Sequence, residues 1–234
     1  MNKGRLYLIP NTLSEDTYKE TITSKTIEHI KEINVFIVEN IRNARRYIKK
    51  IIPKKNINKI IFHAYGKHDK LNLENDFLKH ILANQDVGLI SDSGMPCIAD
   101  PGSQIVNYAH EFNIEVIPLT GPSSILLALI ASGMNGQRFT FHGYLPINDS
   151  ERKKKIIQIE RESIKNTETQ IFIETPYRNN KLLDTILKNC RKNTRLCIAL
   201  DITGSRQYIQ TKTIFEWKTK KIKLEKEPCV FLLM

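Results

Sequence analysis

Short apolar runs alternate with amphipathic segments through the first half of the chain. Five runs have the length and composition of buried strands: Leu6 to Ile9, Val35 to Val38, Ile60 to Phe62, Val87 to Ile90 and Val116 to Leu119. Between them, apolar residues recur at helical spacing: Ile22, Ile27, Ile30 and Ile33, and later Phe77, Leu78, Ile81 and Leu82. This alternation predicts an α/β domain over residues 1–118 with a mostly parallel sheet.

The pattern changes after Leu119. The segment from Ser123 to Ala131 is apolar over the length of a buried helix, and most of the runs that follow are of strand type. The predicted strands are Phe139 to His142, Ile171 to Ile173, Leu196 to Leu200, Tyr208 to Ile214 and Cys229 to Leu233. They favour a second, more antiparallel α+β domain over residues 119–234. The predicted fold class is α/β with two domains.

Composition excludes several classes of protein. The 234 residues are 41% hydrophobic and 26% charged, which excludes disorder as the dominant state. No apolar stretch reaches the roughly 18 to 20 uncharged residues of a membrane span, and the first residues lack a secretion signal. We therefore expect no membrane association and a cytoplasmic location. The four cysteines form no CxxC pair and the histidines no HExxH motif, so we predict no disulfide and no structural metal.

The chain is strongly basic, with 36 Lys and Arg against 25 Asp and Glu and a net charge of +11. The densest basic segment runs from Ile41 to Lys59 and contains no acidic residue. Its cations are Arg42, Arg45, Arg46, Lys49, Lys50, Lys54, Lys55 and Lys59. Because the fields of like charges add, this segment is the candidate for contact with phosphate groups. The alternative is an exposed helix face without a partner.

A glycine-proline loop, Ser91 to Gly102, directly follows a predicted strand. In an open α/β sheet, loops at the carboxyl ends of strands hold ligands, and glycines such as Gly94 let the backbone approach them closely. Asp92 has no capping role here, so it is a candidate ligand contact, with a turn residue as the alternative. Asp100 before Pro101 favours the N-cap of a helix.

A second corner, Leu119 to Ser124, begins the apolar helix. Free backbone amides at such a helix start can receive a carboxylate or a phosphate, although helix initiation alone also explains them. Neither GxGxxG nor GxxxxGK[ST] occurs in the sequence, which removes the main support for a dinucleotide fold or a P-loop.

Four motifs in this order are similar to those of the tetrapyrrole methylase superfamily, and to its branch that methylates ribosomal RNA. They are Asp92 to Gly102, Thr120 to Ser124, Phe139 to Pro146 and Glu174 to Arg178. The resemblance implies a two-domain methyltransferase, usually a homodimer, that binds S-adenosylmethionine (SAM) in the cleft between its domains. The matching motifs imply cofactor contacts at Pro10, Gly94, Met95, Ile98, Ser123, Ser124, Ile173 and Ala199. Asp92, the candidate from the glycine-proline loop, is added to these expected contacts.

The sequence departs from the family pattern on loops that are expected to border the substrate. The loop from Pro10 to Leu13 lacks the glycine of its counterparts, and Leu200 to Gly204 lacks two basic residues. Where relatives have an acidic-polar-basic motif after the second strand, the segment Glu39 to Arg42 keeps only the outer charges. The motifs expected to hold the cofactor are retained.

Methyl transfer to a ribose hydroxyl needs a base or a cation that stabilises the developing oxyanion. Glu39 and Arg42 are the catalytic candidates, since they follow the second strand and one helical turn could hold both on one side. Their alternative role is a helix-start acid with an exposed basic neighbour. Arg45, Arg46, Tyr177 and Arg178 are candidates for contact with the substrate; for the last two, the alternative is a surface loop.

Three hypotheses follow. The first is a SAM-dependent methyltransferase that modifies a ribose 2′-oxygen in small-subunit (16S) ribosomal RNA. The second is a methyltransferase that acts on a small molecule of the tetrapyrrole type. The third is a non-catalytic protein that binds SAM as a structural or sensing element.

Overall fold

The computed structural model describes residues 3–15, 17–65 and 71–234. The chain divides into two compact units, Met1–Ser123 and Ser124–Met234. Each unit contains one five-stranded sheet with helices packed against it. The α/β fold class predicted from the sequence is confirmed.

The first unit is built on a parallel sheet with the strand order β3-β2-β4-β1-β5. The strands are β1 (Leu6–Ile9), β2 (Val35–Val38), β3 (Ile61–Ala64), β4 (Val87–Ile90) and β5 (Val116–Pro118). The helices are α1 (Tyr18–Thr21), α2 (Ser24–Glu32), α3 (Ile41–Ile51), α4 (Lys79–Leu82) and α5 (Ser103–Glu111). A 3-10 turn (Ile57–Lys59) precedes β3, and a π-helical turn (Leu73–Leu78) precedes α4.

Apolar cores cover both faces of this sheet. On one face Phe36 packs in a cluster with Ile30 of α2 and Ile48 of α3. On the other face Ile37 packs with Ile81 of α4 and Ile105 of α5. Because both faces are covered, the strands read as continuous apolar runs, as the sequence predicted. All the carboxyl ends of these parallel strands lie at one edge of the sheet, which we call the carboxyl edge.

The second unit contains a mixed sheet with the strand order β6-β7-β10-β8-β9, in which only β6 and β7 are parallel. The strands are β6 (Phe139–Tyr144), β7 (Thr169–Glu174), β8 (Arg195–Leu200), β9 (Tyr208–Thr213) and β10 (Cys229–Leu233). The helices are α6 (Ser124–Ser132), α7 (Asp149–Asn166), α8 (Asn179–Asn189) and α9 (Ile214–Lys220), with a 3-10 turn at Pro176–Arg178.

The core of the second unit contains the single tryptophan of the chain, Trp217. Its side chain is fully buried beside Phe172 and Phe231, and its indole Nε1 donates a hydrogen bond to the carbonyl of Leu196 over 2.8 Å. This bond satisfies the one polar atom that burial of the ring removes from water. Among the described residues, no helix is both long enough and apolar enough to cross a membrane.

Candidate functional site at the carboxyl edge

Asn11 joins the loops that follow β1 and β4. Its backbone N–H donates to the carbonyl of Gly94 over 2.8 Å. Its side-chain Nδ2 donates to the carbonyls of Ser91 and Asp92, each over 3.1 Å. The residue is 6% exposed, so these bonds are shielded from water. Sequence reasoning missed Asn11; the available signal was a polar amide just after a strand end in a sheet whose carboxyl edge is the expected ligand site.

Pro10, an expected cofactor contact, lies at the same edge and is buried. Its carbonyl accepts a hydrogen bond from the hydroxyl of Tyr47 over 2.7 Å, and burial raises the pKa of that hydroxyl. Gly121 lies against the ring of Pro10 so closely that a methyl group at Gly121 would overlap it. The first strand end and the second glycine-proline corner are therefore in contact.

Gly94 takes a backbone conformation that favours glycine, with φ of +67°. A Cβ at this position would lie 3.0 Å from the side chain of Leu13 and 3.3 Å from the carbonyl of Pro122. Two later residues of the loop, Cys97 and Ala99, also have positive φ values of +70° and +64°. The loop thus turns sharply twice, which leaves Met95 half-buried and Ile98 exposed.

Glu39 extends from the end of β2 to the loop after β4. Its Oε2 accepts a hydrogen bond from the backbone N–H of Asp92 over 2.6 Å. Burial is the main cause that raises the pKa of the Glu39 carboxyl; the hydrogen bond from Asp92 opposes it, and the charges of Asp100 and Asp92 add to it. A carboxylate with a raised pKa is a stronger base than an exposed one.

Two buried polar atoms beside Glu39 have no hydrogen-bond partner among the described residues: the hydroxyl of Tyr65 and Oδ2 of Asp100. Tyr65 follows β3, and its backbone N–H donates to the carbonyl of Val38 over 3.0 Å. Burial, and then the charges of Asp100 and Glu39, raise the pKa of the Tyr65 hydroxyl. The Tyr65 hydroxyl faces the Asp100 carboxyl, where it acts as a hydrogen-bond donor that opposes the rise in the pKa of Asp100. Neither atom has a partner at full hydrogen-bond geometry, so a bound polar group can pair with both. Tyr65 is a second residue that sequence reasoning missed.

Asp100 does not cap a helix as predicted. Helix α5 begins at Ser103, and its N-cap is Gly102, which has no side chain to form a cap. Oδ1 of Asp100 accepts from the backbone N–H of Gly102 over 2.7 Å and closes a turn before the helix. Burial raises the pKa of the Asp100 carboxyl.

Glu39 and Arg42 do not share a helical turn. The N-cap of α3 is Asn40, whose Oδ1 accepts from the backbone N–H groups of Arg42 and Asn43, so Glu39 lies before the helix and faces Asp92. The guanidinium of Arg42 is exposed and forms no hydrogen bond or ion pair within the described part of the chain. Arg45 and Arg46 lie further along α3, on its exposed side.

In the second unit, the guanidinium of Arg178 is held by Glu174. Its Nε and one terminal nitrogen donate to Oε1 of Glu174 over 3.0 and 2.7 Å. The Glu174 side chain is only 1% exposed, so this ion pair is partly desolvated and fixes the orientation of the guanidinium. Tyr177 is 83% exposed, with the ammonium of Lys226 at 5.6 Å from its ring centroid.

The remaining expected cofactor contacts differ in burial. Ser123 is 8% exposed at the end of the first unit, and Ser124 is the first residue of α6. Ile173 is half-buried on β7. Ala199 is fully buried on β8, where it pairs with Val230 and Ile209. Its side chain lies on the face of the sheet opposite to Ile198 and Leu200, which belong to the main core of this unit.

Comparison with known proteins gives consistent matches along the chain. The family described as Tetrapyrrole (Corrin/Porphyrin) Methylases matches residues 18–217. A "Ribosomal RNA small subunit methyltransferase I" of Buchnera aphidicola subsp. Acyrthosiphon pisum (strain APS) is 28% identical over 233 residues, 98% of this chain and 78% of that protein. The protein of the same name from Vibrio cholerae serotype O1 is 28% identical over 211 residues, 90% of this chain and 69% of that protein.

A solved structure shows the same fold. The crystal structure of the methyltransferase CobJ aligns with a TM-score of 0.63 and 16% sequence identity, over 98% of this chain and 93% of that chain. At this identity, the likeness concerns the arrangement of helices and strands.

Proposed function

The chain belongs to the tetrapyrrole methylase family and is a methyltransferase, and we propose that it transfers the methyl group of SAM to a ribose 2′-oxygen of small-subunit ribosomal RNA. The family resemblance predicted from the four motifs is confirmed. The RNA substrate is proposed because relatives that align with nearly the whole chain carry the name of a ribosomal RNA methyltransferase.

The observation that carries the proposal is the unpartnered pair of buried polar atoms on Tyr65 and Asp100, next to Glu39 at the carboxyl edge. SAM has hydroxyl and amino groups that can hydrogen-bond to both atoms. Its sulfonium and ammonium are positively charged, and carboxyl groups at this edge (Glu39, Asp92 and Asp100) suit them in a chain whose net charge is +11. The residues present therefore fit the cofactor.

The proposed cofactor contacts in the first unit are Pro10, Asp92, Gly94, Met95, Ile98 and Ser123. Asn11 would act as a positioning residue, because its hydrogen bonds fix the two loops on which Pro10 and Gly94 lie. For the second unit, the proposal keeps Ser124, Ile173 and Ala199, the last through its backbone.

SAM supplies an activated methyl group that needs no metal. The chain would position the acceptor and receive its proton. Glu39 is the proposed base, because its pKa is raised and it lies at the strand ends where the acceptor would enter. The ribose oxygen would gain the methyl group as the bond between that methyl and the sulfonium sulfur breaks, which leaves a neutral thioether, and the hydroxyl proton would pass to the Glu39 carboxylate. Arg42, exposed at the start of α3, would stabilise the negative charge that develops on that oxygen.

Four other residues are proposed to contact the RNA. Arg45 and Arg46 would bind phosphates from the exposed side of α3. Tyr177 would stack on a base, since most of its ring is exposed. Arg178 would act with a fixed orientation, because Glu174 already holds two of its donors.

A small-molecule acceptor is the second candidate, and it is favoured by the description of the matching family, Tetrapyrrole (Corrin/Porphyrin) Methylases. A small acceptor would make no use of the basic segment from Arg42 to Lys59, so we rank it below RNA. In the non-catalytic hypothesis, the protein binds SAM at the same site but transfers no methyl group.

We also propose that the protein is a cytoplasmic homodimer. The ribosomal substrate lies in the cytoplasm. On α6, Leu126 and Ile130 are 49% and 76% exposed, and large apolar side chains one turn apart on a helix suit contact with a second copy of the chain.

The test incubates the purified protein with methyl-labelled SAM and small ribosomal subunits from cells that lack the gene. We expect label in the RNA, and digestion should release a 2′-O-methylated nucleoside. Calorimetry measures SAM binding in parallel. Tight SAM binding without transfer to any RNA fraction would contradict the proposal and support the non-catalytic hypothesis; transfer to a tetrapyrrole instead would support the small-molecule hypothesis.

A further inference from the structure

A basic cleft opens between the last turns of α3 and the turn that leads to β3. It has a volume of about 720 Å³, and no acidic residue among those described lines it. The lining residues are Arg45, Arg46, Lys49, Lys50, Lys54, Lys55, Asn56, Ile57 and Asn58. The cleft is shallow and open to solvent, and a surface with one sign of charge concentrates ions of the opposite sign. Its chemistry therefore suits an anion.

Three of these cations are used to build the cleft. The Lys55 ammonium donates to the carbonyls of Lys31 and Ile33 over 2.6 and 2.8 Å, and it is half-buried, which lowers its pKa. Lys49 donates to the carbonyl of Pro53 over 2.6 Å. The Arg45 guanidinium donates to the side chain of Asn58 over 3.1 Å. These bonds hold the turn against α3 and against the end of α2.

Arg45 keeps further guanidinium donors free for a phosphate, and two other cations have all their donors available for a ligand. The side chains of Arg46 and Lys54 are exposed and make no hydrogen bond or ion pair with any described residue. Arg46 lies on α3 and Lys54 on the turn, and both line the cleft. A phosphate between them would meet a guanidinium and an ammonium on a surface already fixed by three internal bonds.

The cleft lies away from the carboxyl edge. Helix α3 begins next to Glu39 at that edge and runs back toward the start of β3. Ten residues separate the N-cap, Asn40, from Lys50 at the cleft, which corresponds to about 15 Å along the helix axis. A polynucleotide that is bound at the carboxyl edge can extend over this distance to the cleft.

We propose that this cleft binds the phosphate backbone of the RNA substrate, about 15 Å from the carboxyl edge, on nucleotides that flank the one that receives the methyl group. The inference rests on the proposed function, because it takes the carboxyl edge as the place of transfer. It identifies the substrate as a polynucleotide that reaches both places on the first unit. The contact is with the backbone and contributes affinity without reading the base sequence.

The test compares the double variant R46A/K54A with the matched control R161A/K154A. The control also removes one arginine and one lysine, which are exposed on α7 and have no partner among the described residues. Binding of uridine oligomers of 3 to 24 nucleotides is measured at several salt concentrations. Because R46A/K54A removes two cations that would each bind a phosphate, we expect the Kd of the long oligomers to rise about tenfold at 0.15 M salt and the salt slope to fall by about 1.4.

The control should bind all oligomers like the wild type, and trimers should bind the wild type and R46A/K54A alike. K55A should lower the melting temperature, whereas R46A/K54A should not, because only Lys55 is bonded within the fold. An unchanged Kd and salt slope for R46A/K54A would overturn the inference, as would an equal loss in the control. If the wild type binds RNA through Arg46 and Lys54 but transfers no methyl group, the proposed function is wrong. The inference that the cleft binds the RNA backbone would then still stand.

Discussion

The carboxylate of Glu39 accepts the backbone N–H of Asp92 over 2.6 Å and so connects the end of β2 with the loop after β4. The bond has two consequences. It places a half-buried carboxyl group with a raised pKa at the sheet edge where a ligand is expected. It also satisfies an N–H group of the loop that carries Gly94.

Glu39→Gln separates these roles, because a glutamine oxygen can still accept the N–H of Asp92. Methyl transfer should fall about 10²- to 10⁴-fold through loss of the base, with the Kd of SAM changed much less. Labelled-methyl transfer and calorimetry measure the two effects. Glu20→Gln, an exposed site on α1, should behave like the wild type. A variant with full activity would remove Glu39 from the chemistry.

The same substitution predicts a pH-dependent change in stability. A carboxyl whose pKa is raised in the folded state stabilises the fold below its unfolded pKa, and this stabilisation is lost as the pH rises through the folded pKa. Glu39→Gln should therefore raise the melting temperature at neutral pH by roughly 2 °C, and the gain should shrink toward zero in acid. Thermal melts between pH 4 and 8 test this. If the gain in melting temperature instead grows as the pH falls, the folded state does not raise the pKa of Glu39.

Asn11→Ala should loosen the two loops and destabilise the first unit. The carbonyls of Ser91 and Asp92 lose their buried donor, which costs about 2 kcal/mol in the free energy of unfolding. SAM binding should weaken because the loop that carries Gly94 loses its two side-chain bonds to Asn11 and keeps only the backbone bond. Urea unfolding and calorimetry report the two effects, with Asn107→Ala on the exposed side of α5 as the control. Equal losses in both variants would contradict the role given to Asn11.

Gly121→Ala should disrupt the corner that contacts Pro10. The added methyl group would overlap the proline ring, and relief requires a shift of the backbone, at a cost of about 3 kcal/mol. Gly136→Ala is a matched control, since nothing lies within 4 Å of its added methyl group. Yield of folded protein and melting temperature distinguish the two variants. A normal melting temperature for Gly121→Ala would mean that the corner adapts freely.

Tyr65→Phe tests whether the unpartnered hydroxyl serves a ligand. Without SAM, removal of an unpaired buried hydroxyl should leave stability unchanged or raise it by up to about 1 kcal/mol. With SAM, the rise in melting temperature on binding should be smaller than in the wild type, corresponding to an about tenfold weaker Kd. Tyr108→Phe, on α5, should keep the full rise. An equal rise in both variants would show that the hydroxyl does not contact SAM.

The sequence predicted the elements that depend on local apolar pattern. The limits of β1, β2 and β4 agree with the predicted runs, because all three strands are buried and continuously apolar. Strand β3 begins one residue later than predicted, since Ile60 closes the 3-10 turn before it. It also continues through His63 and Ala64. These two residues do not extend the apolar run that predicted the strand, and β3 lies at the edge of the sheet.

The site was less predictable, because its hydrogen bonds join residues far apart in the chain. Asn11 and Ser91 are 80 positions apart, and Glu39 and Asp92 are 53 apart, so no local pattern records either pair. The incorrect cap at Asp100 has a local cause: an aspartate before proline forms both helix caps and turns, and the carboxylate here bonds to Gly102 two residues on.

The burial of Trp217 has a practical consequence. Since this is the only tryptophan and it lies in the core of the second unit, its intrinsic fluorescence reports the opening of that unit alone. Circular dichroism, in contrast, follows the helices of both units. The two optical signals coincide during denaturation only when the halves of the chain open together. The protein thus carries a natural fluorophore with which the cooperativity between its halves can be measured without labelling.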